Sequence, residues 1–517
     1  VSFRGFAWLL AALTPVYLLL AVVVPPADDE FYYWCWSQRL QLSYYDHPPM
    51  TAYLIRAATA VFGDTLFAIR LPAVISTLTV LAVIGYLTRP RELLPLVVFT
   101  PLFTFGAVLV TPDTPLLMFW ALYVLWLVKA HGRIQDPHSP ALADPSPSPS
   151  SERGGGQDLS AGSPPSLAGK GAGGLGSLPF WALGGLILGC GILGKYTTGL
   201  AVIAGFLSFA LAGNWRRWLP GYALHLSVAF VVTLPILVHN VRHDFVPIRY
   251  QWKHSMSSPE PGVVPFLSFV GIQVLLFGLL PFVVFVWSLV RRKELLADPR
   301  LRVCFWLFAF PFAFFLYKAT RGQLEGNWAL ACYIAVWPLA AEWYSRVKGN
   351  VHWWRFARGA FAVPATCVVL LAVHLVRPVS LLKPEQDRIT RQVSKENVAE
   401  QLALTLRDMH AEDPVFVPNY QWTAMLQFHH VDARQIDGMT RPSHFTQYPE
   451  RPADRDRVLV FADGFLPPEY ATEFGPPRIV KMFPVVVRGR VVDTYWLLEY
   501  SRENRPTGDA AVGSGPP

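Results

Sequence analysis

The residues best suited to chemistry in this 517-residue chain gather at a few places. The densest run is Asp28-Asp29-Glu30-Phe31-Tyr32-Tyr33-Trp34-Cys35-Trp36, followed shortly by Tyr44-Tyr45-Asp46-His47-Pro48-Pro49. An Asp after Pro-Pro is a good helix N-cap, and aromatic residues collect at membrane interfaces. Neither explains three consecutive carboxylates joined by Asp46 beside an imidazole. Carboxylates are costly near a bilayer, so such a cluster points to function. A carboxylate in a partly dry site is also what is needed to take a proton from an acceptor hydroxyl. Thr111-Pro112-Asp113-Thr114-Pro115 has the composition of a turn and brings a further carboxylate.

Cations recur at separate points. Gly189-Cys190-Gly191-Ile192-Leu193-Gly194-Lys195-Tyr196 has the spacing of a nucleotide-binding P-loop. Tyr196 stands where Ser or Thr would hold magnesium, and the flanks are apolar, so nucleotide binding is rejected. Lys195 is left either to snorkel or to anchor an anionic headgroup. The segment 239–258 holds Arg242, His243, Asp244, Arg249 and Lys253 among Phe245, Tyr250 and Trp252, and Lys318, Arg321, Glu325 and Asn327 come later. Basic residues there suggest a bound phosphate held by charge-assisted hydrogen bonds. The histidines lack the spacing of a zinc site.

These groups must be positioned by membrane-spanning helices. The chain is 52% hydrophobic and 15% charged, against roughly 25% charged in soluble domains, which excludes a disordered or ordinary cytosolic protein. A bilayer core needs about 20 apolar residues of helix, and about eleven such runs occur, at 6–24, 66–87, 93–110, 115–129, 179–193, 197–212, 219–238, 265–290, 301–317, 327–344 and 356–376. Residues 6–24 lack a signal-peptide cleavage site and read as the first span. Alternate loops carry Arg89/Arg91, Arg216/Arg217, Arg291/Arg292/Lys293 and Arg346/Lys348/Arg355/Arg358, which marks them as cytoplasmic and sends nearly every polar cluster to the outer face. The net charge of +8 is better explained by this topology than by nucleic acid. The cysteines form no disulfide framework.

Residues 134–177 are rich in Pro, Gly and Ser and read as a disordered cytoplasmic linker. The transmembrane domain then covers 1–378. Residues 379–502 form a small outer α/β domain, with a helix near 386–410, strands at 415–417 and 458–461, and a hairpin about Arg488-Gly489-Arg490; 503–517 is a disordered tail.

The runs Asp29 to Ser37, Tyr44 to Met50, Thr111-Pro112-Asp113 and Gly194-Lys195-Tyr196-Thr197 resemble the bacterial branch of the protein O-mannosyltransferase-like glycosyltransferases, which includes the lipid A aminoarabinose transferase. His239-Asn240-Val241-Arg242-His243-Asp244-Phe245 and Glu325-Gly326-Asn327-Trp328 fit as well. The resemblance implies a GT-C fold: an all-α polytopic bundle of about eleven, at most thirteen, transmembrane helices with juxtamembrane helices and a cavity at the outer membrane face. It implies a polyprenyl-phosphate-linked sugar donor and inversion at the anomeric carbon. Asp29 would be the catalytic carboxylate, with Glu30 and Asp113 assisting. His47 and Lys195 would hold the donor phosphate, His47 standing where the aminoarabinose branch has Lys, and Arg249, Lys318 and Arg321 are further phosphate candidates. Tyr33, Tyr45, Asp46, Asn240 and Asn327 would shape the cavity. No cofactor is required, and a divalent metal is possible but not indicated, since members of the family share no one metal pattern. The expected partners are the donor, the bilayer and a lipid A, surface-glycan or protein acceptor, in a bacterial inner membrane with a cytoplasmic N-terminus. The competing class is a lipid-linked-sugar transporter, which would place ionisable groups at the bilayer midplane and show related halves.

Overall fold

The computed structural model describes residues 3–89, 91–135, 178–211, 213, 215–256, 262–379, 382–411, 413–447, 451–467 and 473–504. The expected linker at 134–177 and tail at 503–517 lie almost wholly outside them. The described helices are α1 (Phe3–Val23), α2 (Asp28–Gln38), α3 (Met50–Phe62), α4 (Leu66–Leu87), α5 (Leu94–Val98), α6 (Asp113–Gln135), α7 (Leu178–Gly194), α8 (Gly199–Ala210), α9 (Trp215–Arg242), α10 (Val246–Met256), α11 (Val263–Phe277), α12 (Leu280–Val290), α13 (Arg292–Ala297), α14 (Pro299–Ala319), α15 (Cys332–Val347), α16 (Val351–Gly359), α17 (Ala362–Val376), α18 (Arg388–Asp408) and α19 (Tyr420–Phe428).

Most of the apolar runs are single helices, but several are interrupted. Among the described residues, six stretches are long and apolar enough to cross a bilayer: Arg4–Val23, Leu66–Leu87, Asp113–Ile134, Trp215–Arg242, Pro299–Ala319 and Val351–Val376. The pair α11 and α12, bent by 105°, makes a seventh if it is one span. The bend falls at Gly278, where φ is +75° and a Cβ would lie 1.9 Å from the Ala360 carbonyl oxygen, so only glycine fits the corner. The run at 93–110 shrinks to α5 and a 3₁₀ turn at Pro101–Phe103. Irregular backbone at this depth survives only when protein groups satisfy it. Here Tyr17 donates to the Phe103 carbonyl at 2.7 Å and Thr77 to that of Ala107 at 3.1 Å.

Three of the four basic loops meet at one end of the bundle. Arg346 pairs with Glu294, Lys348 with Glu92 at 3.7 Å, and Arg300 donates to the Leu87 carbonyl at 3.3 Å. The acidic and aromatic motifs sit at the other helix ends: after Val23, before Asp113 and after Gly194.

The C-terminal unit is a five-stranded sheet in the order β2-β1-β3-β5-β4, from β1 (Val415–Val417), β2 (Ala433–Gln435), β3 (Arg457–Ala462), β4 (Arg478–Val487) and β5 (Arg490–Ser501). The β2, β1 and β3 strands are parallel, and β5 is antiparallel to both of its neighbours. Arg488 and Gly489 both have positive φ, 50° and 78°, the turn geometry that matches strand twist in a tight hairpin. The unit docks through α19 onto α2: Phe428 packs 4.8 Å from the Phe31 ring and 5.1 Å from that of Trp34. Aromatic pairs at such separations add stability beyond their buried area.

Candidate active site

The site begins at an elbow between α1 and α2. Three acidic residues occupy the first turn of α2, where the helix dipole favours negative charge. The N-cap is Ala27, so Asp28 is the first helical residue and not the cap that the sequence suggested; it pairs instead with Lys395 at 3.2 Å. Glu30 is fully buried with Arg70 of α4, at 2.9 Å to Nε and 2.6 Å to Nη2. It also accepts from the backbone N–H groups of Ala27 and Val110. Arg70 in turn donates to the carbonyls of Ala21, Val24 and Pro25, which end α1. One ion pair therefore fixes the end of α1, the start of α2 and, through the Val110 N–H, the segment leading to Asp113, and so aims Asp29.

Asp29 faces a cavity of about 720 Å³ whose wall also carries Tyr33, Asp46, His47, Asp113, Lys195 and Asn327. Lys195 meets Asp113 because α7 ends against the start of α6: a Cβ on Gly194 would lie 3.0 Å from the Pro115 ring. Lys195 Nζ is then 2.7 Å from Asp113 Oδ1, and Asn327 Nδ2 donates to Asp113 Oδ2 at 2.6 Å. Cation and carboxylate share a rim with Asp29, and the ring is closed from an unexpected side.

That side is the C-terminal unit. Tyr420, at the start of α19, donates its hydroxyl to Asp29 Oδ1 at 2.9 Å. Arg441 donates to Asp46 Oδ1 at 2.7 Å and to the Tyr250 hydroxyl at 3.1 Å, with its guanidinium 4.1 Å from the Tyr420 ring centre. Tyr32 donates to the other Asp46 oxygen at 2.6 Å and accepts from the His444 N–H at 2.7 Å. Burial pushes the Asp29 carboxyl above its ordinary pKa, while the Tyr420 hydrogen bond pulls the other way without cancelling it. Burial alone would lower Arg441, but the Asp46 carboxylate and the Tyr420 contacts outweigh it and raise its pKa, so it stays charged.

The expected site residues divide. Asp29, Tyr33, Asp46, His47, Asp113, Lys195 and Asn327 come together around the cavity. Glu30 does not reach it, because Arg70 holds its carboxylate inside the elbow. Tyr45 packs against Tyr250, the ring centres 4.8 Å apart and the planes tilted by 47°, and does not itself line the cavity. Asn240 is fully buried and bridges the Ile236 carbonyl and the Ile248 N–H, holding the turn that launches α10. Arg249, expected on the donor phosphate, is exposed outside the cavity, while Ile248, Tyr250 and Gln251 of the same helix line it. Lys318 and Arg321 are likewise outside, Arg321 lying 5.3 Å from the Tyr317 ring. Among the described residues no group of three or more His, Cys, Asp or Glu side chains is arranged to hold a metal ion. Tyr420 and Arg441 were not anticipated, since they lie 391 and 395 residues from the carboxylates they hold and carry no local motif.

Residues 46–136 match the family model described as dolichyl-phosphate-mannose-protein mannosyltransferase. The chain is 24% identical over 456 residues to the lipid A galacturonosyltransferase RgtD of Rhizobium johnstonii, covering 84% of this chain and 85% of the relative. Its structure aligns with ArnT from Cupriavidus metallidurans in the apo state at 14% identity and a TM-score of 0.59, covering 98% of this chain and 99% of that one. ArnT bound to undecaprenyl phosphate aligns at 14% identity and a TM-score of 0.57, covering 96% and 98% of the two chains. The fold is therefore the ArnT-like GT-C fold with a small C-terminal sheet.

Proposed function

We propose that this chain, whose resemblance to the lipid A aminoarabinose transferase-like branch of the protein O-mannosyltransferase-like glycosyltransferases holds in sequence and in fold, is an inverting glycosyltransferase. It moves a sugar from a polyprenyl-phosphate donor to a hydroxyl of an extracytoplasmic acceptor. The observation that carries this is Asp29: a carboxylate with a raised pKa, aimed into a cavity at the helix ends remote from the basic loops, with Lys195 on the same wall. The named activity of RgtD makes lipid A the favoured acceptor.

In the proposed step the acceptor hydroxyl oxygen attacks the anomeric carbon and its proton passes to Asp29. A raised pKa suits that role, because a base works best with a pKa near the working pH. The bond from the anomeric carbon to the phosphate oxygen breaks, and the polyprenyl phosphate leaves with an added negative charge. Fixed cations lower this barrier when they face the site of developing charge. Lys195 and His47 are the candidates on the wall. Asp113 and Asn327 orient Lys195, and Arg441 with Tyr32 fixes Asp46 beside His47. No cofactor has a part in this scheme. The basic loops at the far end favour a cytoplasmic N-terminus and an outward cavity in a bacterial inner membrane.

The test is sugar transfer from a radiolabelled polyprenyl-phosphate sugar to membrane extract. Wild type should consume donor, and Asp29→Asn should bind it yet transfer at least about a hundredfold less, within the range for loss of a general base. If both proteins bind and move the lipid without cleaving the sugar–phosphate bond, a transporter takes the place of the enzyme.

A further inference from the structure

A second cavity, of about 550 Å³, opens on the other side of α2. Tyr32 and Tyr33 line the catalytic cavity, whereas Trp34, Gln38 and Arg39 line this one, so a single helix about 10 Å thick separates them. Its remaining wall comes from the C-terminal unit, from the end of α19 through β2 to His444 and Phe445. Among the described residues none from a membrane-crossing helix lines it, so it suits the part of an acceptor that stands outside the apolar spans.

The chemistry of the lining is specific. Arg434 is held by Asp432 through two hydrogen bonds, at 3.0 and 2.9 Å, so their charges cancel. No carboxylate among the described residues pairs with Arg39, which leaves the lining with an uncompensated guanidinium. Such a fork matches phosphate and carboxylate geometry. Trp34 and Phe445 add aromatic surface, and the Trp34 ring is pinned by its N–H to Asp64 at 2.8 Å. A cation and aromatic surface lining one cavity suit a sugar that carries an anion. The two cavities are linked by the hydrogen bonds from His444 to Tyr32 and from Tyr32 to Asp46.

We propose that this cavity is an acceptor subsite for a sugar bearing a phosphate or carboxylate, held by Arg39, while the hydroxyl to be glycosylated reaches across α2 to Asp29. This deepens the glycosyltransferase reading and rests on it. The acceptor then straddles one helix, and its anionic sugar sets which hydroxyl meets the base.

The test titrates the purified full chain with glucose 1-phosphate, methyl glucoside and inorganic phosphate, following binding by calorimetry. Glucose 1-phosphate should bind wild type and Lys195→Ala alike, bind Arg39→Gln about tenfold more weakly, and bind Arg39→Glu more weakly still, the loss expected for one charge-assisted contact. Methyl glucoside should not bind measurably. With acceptor extract, Arg39→Gln should raise the acceptor KM about tenfold and leave kcat and the donor KM unchanged. Equal binding of glucose 1-phosphate by wild type and Arg39→Gln overturns the subsite. So does loss of binding in Lys195→Ala, which would place the probe in the catalytic cavity. Inorganic phosphate binding as tightly as the sugar phosphate would reduce the site to one for free anions. Failure of wild type to consume donor would instead refute the glycosyltransferase reading, and the binding measurements would stand apart from it.

Discussion

Replacing Glu30 should unfold the protein before it touches chemistry, although the residue adjoins the proposed base. Its Oε1 accepts from Arg70 Nε at 2.9 Å and the Val110 N–H at 3.0 Å; its Oε2 accepts from Arg70 Nη2 at 2.6 Å and the Ala27 N–H at 2.9 Å. Both side chains are 0% exposed, so water cannot replace a lost partner. Glu30→Gln leaves the Arg70 charge buried beside three carbonyls with no counterion, and breaking a buried pair in this way costs about 3–5 kcal/mol. Arg70→Met should cost a similar amount by stranding the carboxylate. The double variant Glu30→Gln/Arg70→Met should be more stable than the sum of the two losses predicts, because neither charge is then left alone. Unfolding of detergent-purified protein by denaturant, with transfer measured on the folded fraction, separates the two roles. If Glu30→Gln unfolds within about 0.5 kcal/mol of wild type, the margin of an inert surface change, and transfer still falls a hundredfold, the structural assignment is wrong and Glu30 belongs to the chemistry.

Asp29→Asn should behave in the opposite way. The folded-state pKa of Asp29 is raised, so the fold binds more protons than the unfolded chain between the ordinary value near 3.9 and the raised one, and this group's contribution to stability rises as pH falls through that window. Removing the charge should therefore leave stability at neutral pH equal or higher, as read from unfolding midpoints, while transfer is lost. Tyr420→Phe removes a hydrogen bond that lowers the Asp29 pKa, so the acidic limb of the pH–rate profile should move to higher pH. On that limb transfer should fall about two- to tenfold, the worth of one such hydrogen bond, with recovery at higher pH. A loss that does not depend on pH would point to packing. Arg441→Lys should fail to rescue Arg441→Ala in kcat, because an ammonium cannot serve Asp46 and the Tyr250 hydroxyl while also stacking on Tyr420. Full rescue would show that only a positive charge is needed there.

What the sequence disclosed and what it withheld follow from the range over which each signal acts. Carboxylates beside an apolar span are costly wherever they fall, so the cluster at Asp28-Asp29-Glu30 was visible from composition alone. Which of the three faces the cavity was not visible, because successive residues on a helix point about 100° apart. The three neighbours therefore enter three surroundings: Asp28 meets Lys395, Asp29 meets Tyr420 and the cavity, and Glu30 meets Arg70. Hydropathy likewise reports how apolar a run is and not whether its backbone is continuous, so the break at Gly278 and the coil around Phe103 were invisible until their tertiary partners, Ala360 and Tyr17, were in place. The hairpin at Arg488-Gly489 was legible because its turn and both strands are local. Tyr420 and Arg441 are the reverse case. Each is an ordinary residue of a small sheet unit that becomes part of the cavity only when α19 packs on α2. The same packing that buries Phe31 and Phe428 thus carries Tyr420 to Asp29, so the contacts that dock the C-terminal unit and those that tune the proposed base cannot be separated into scaffold and site.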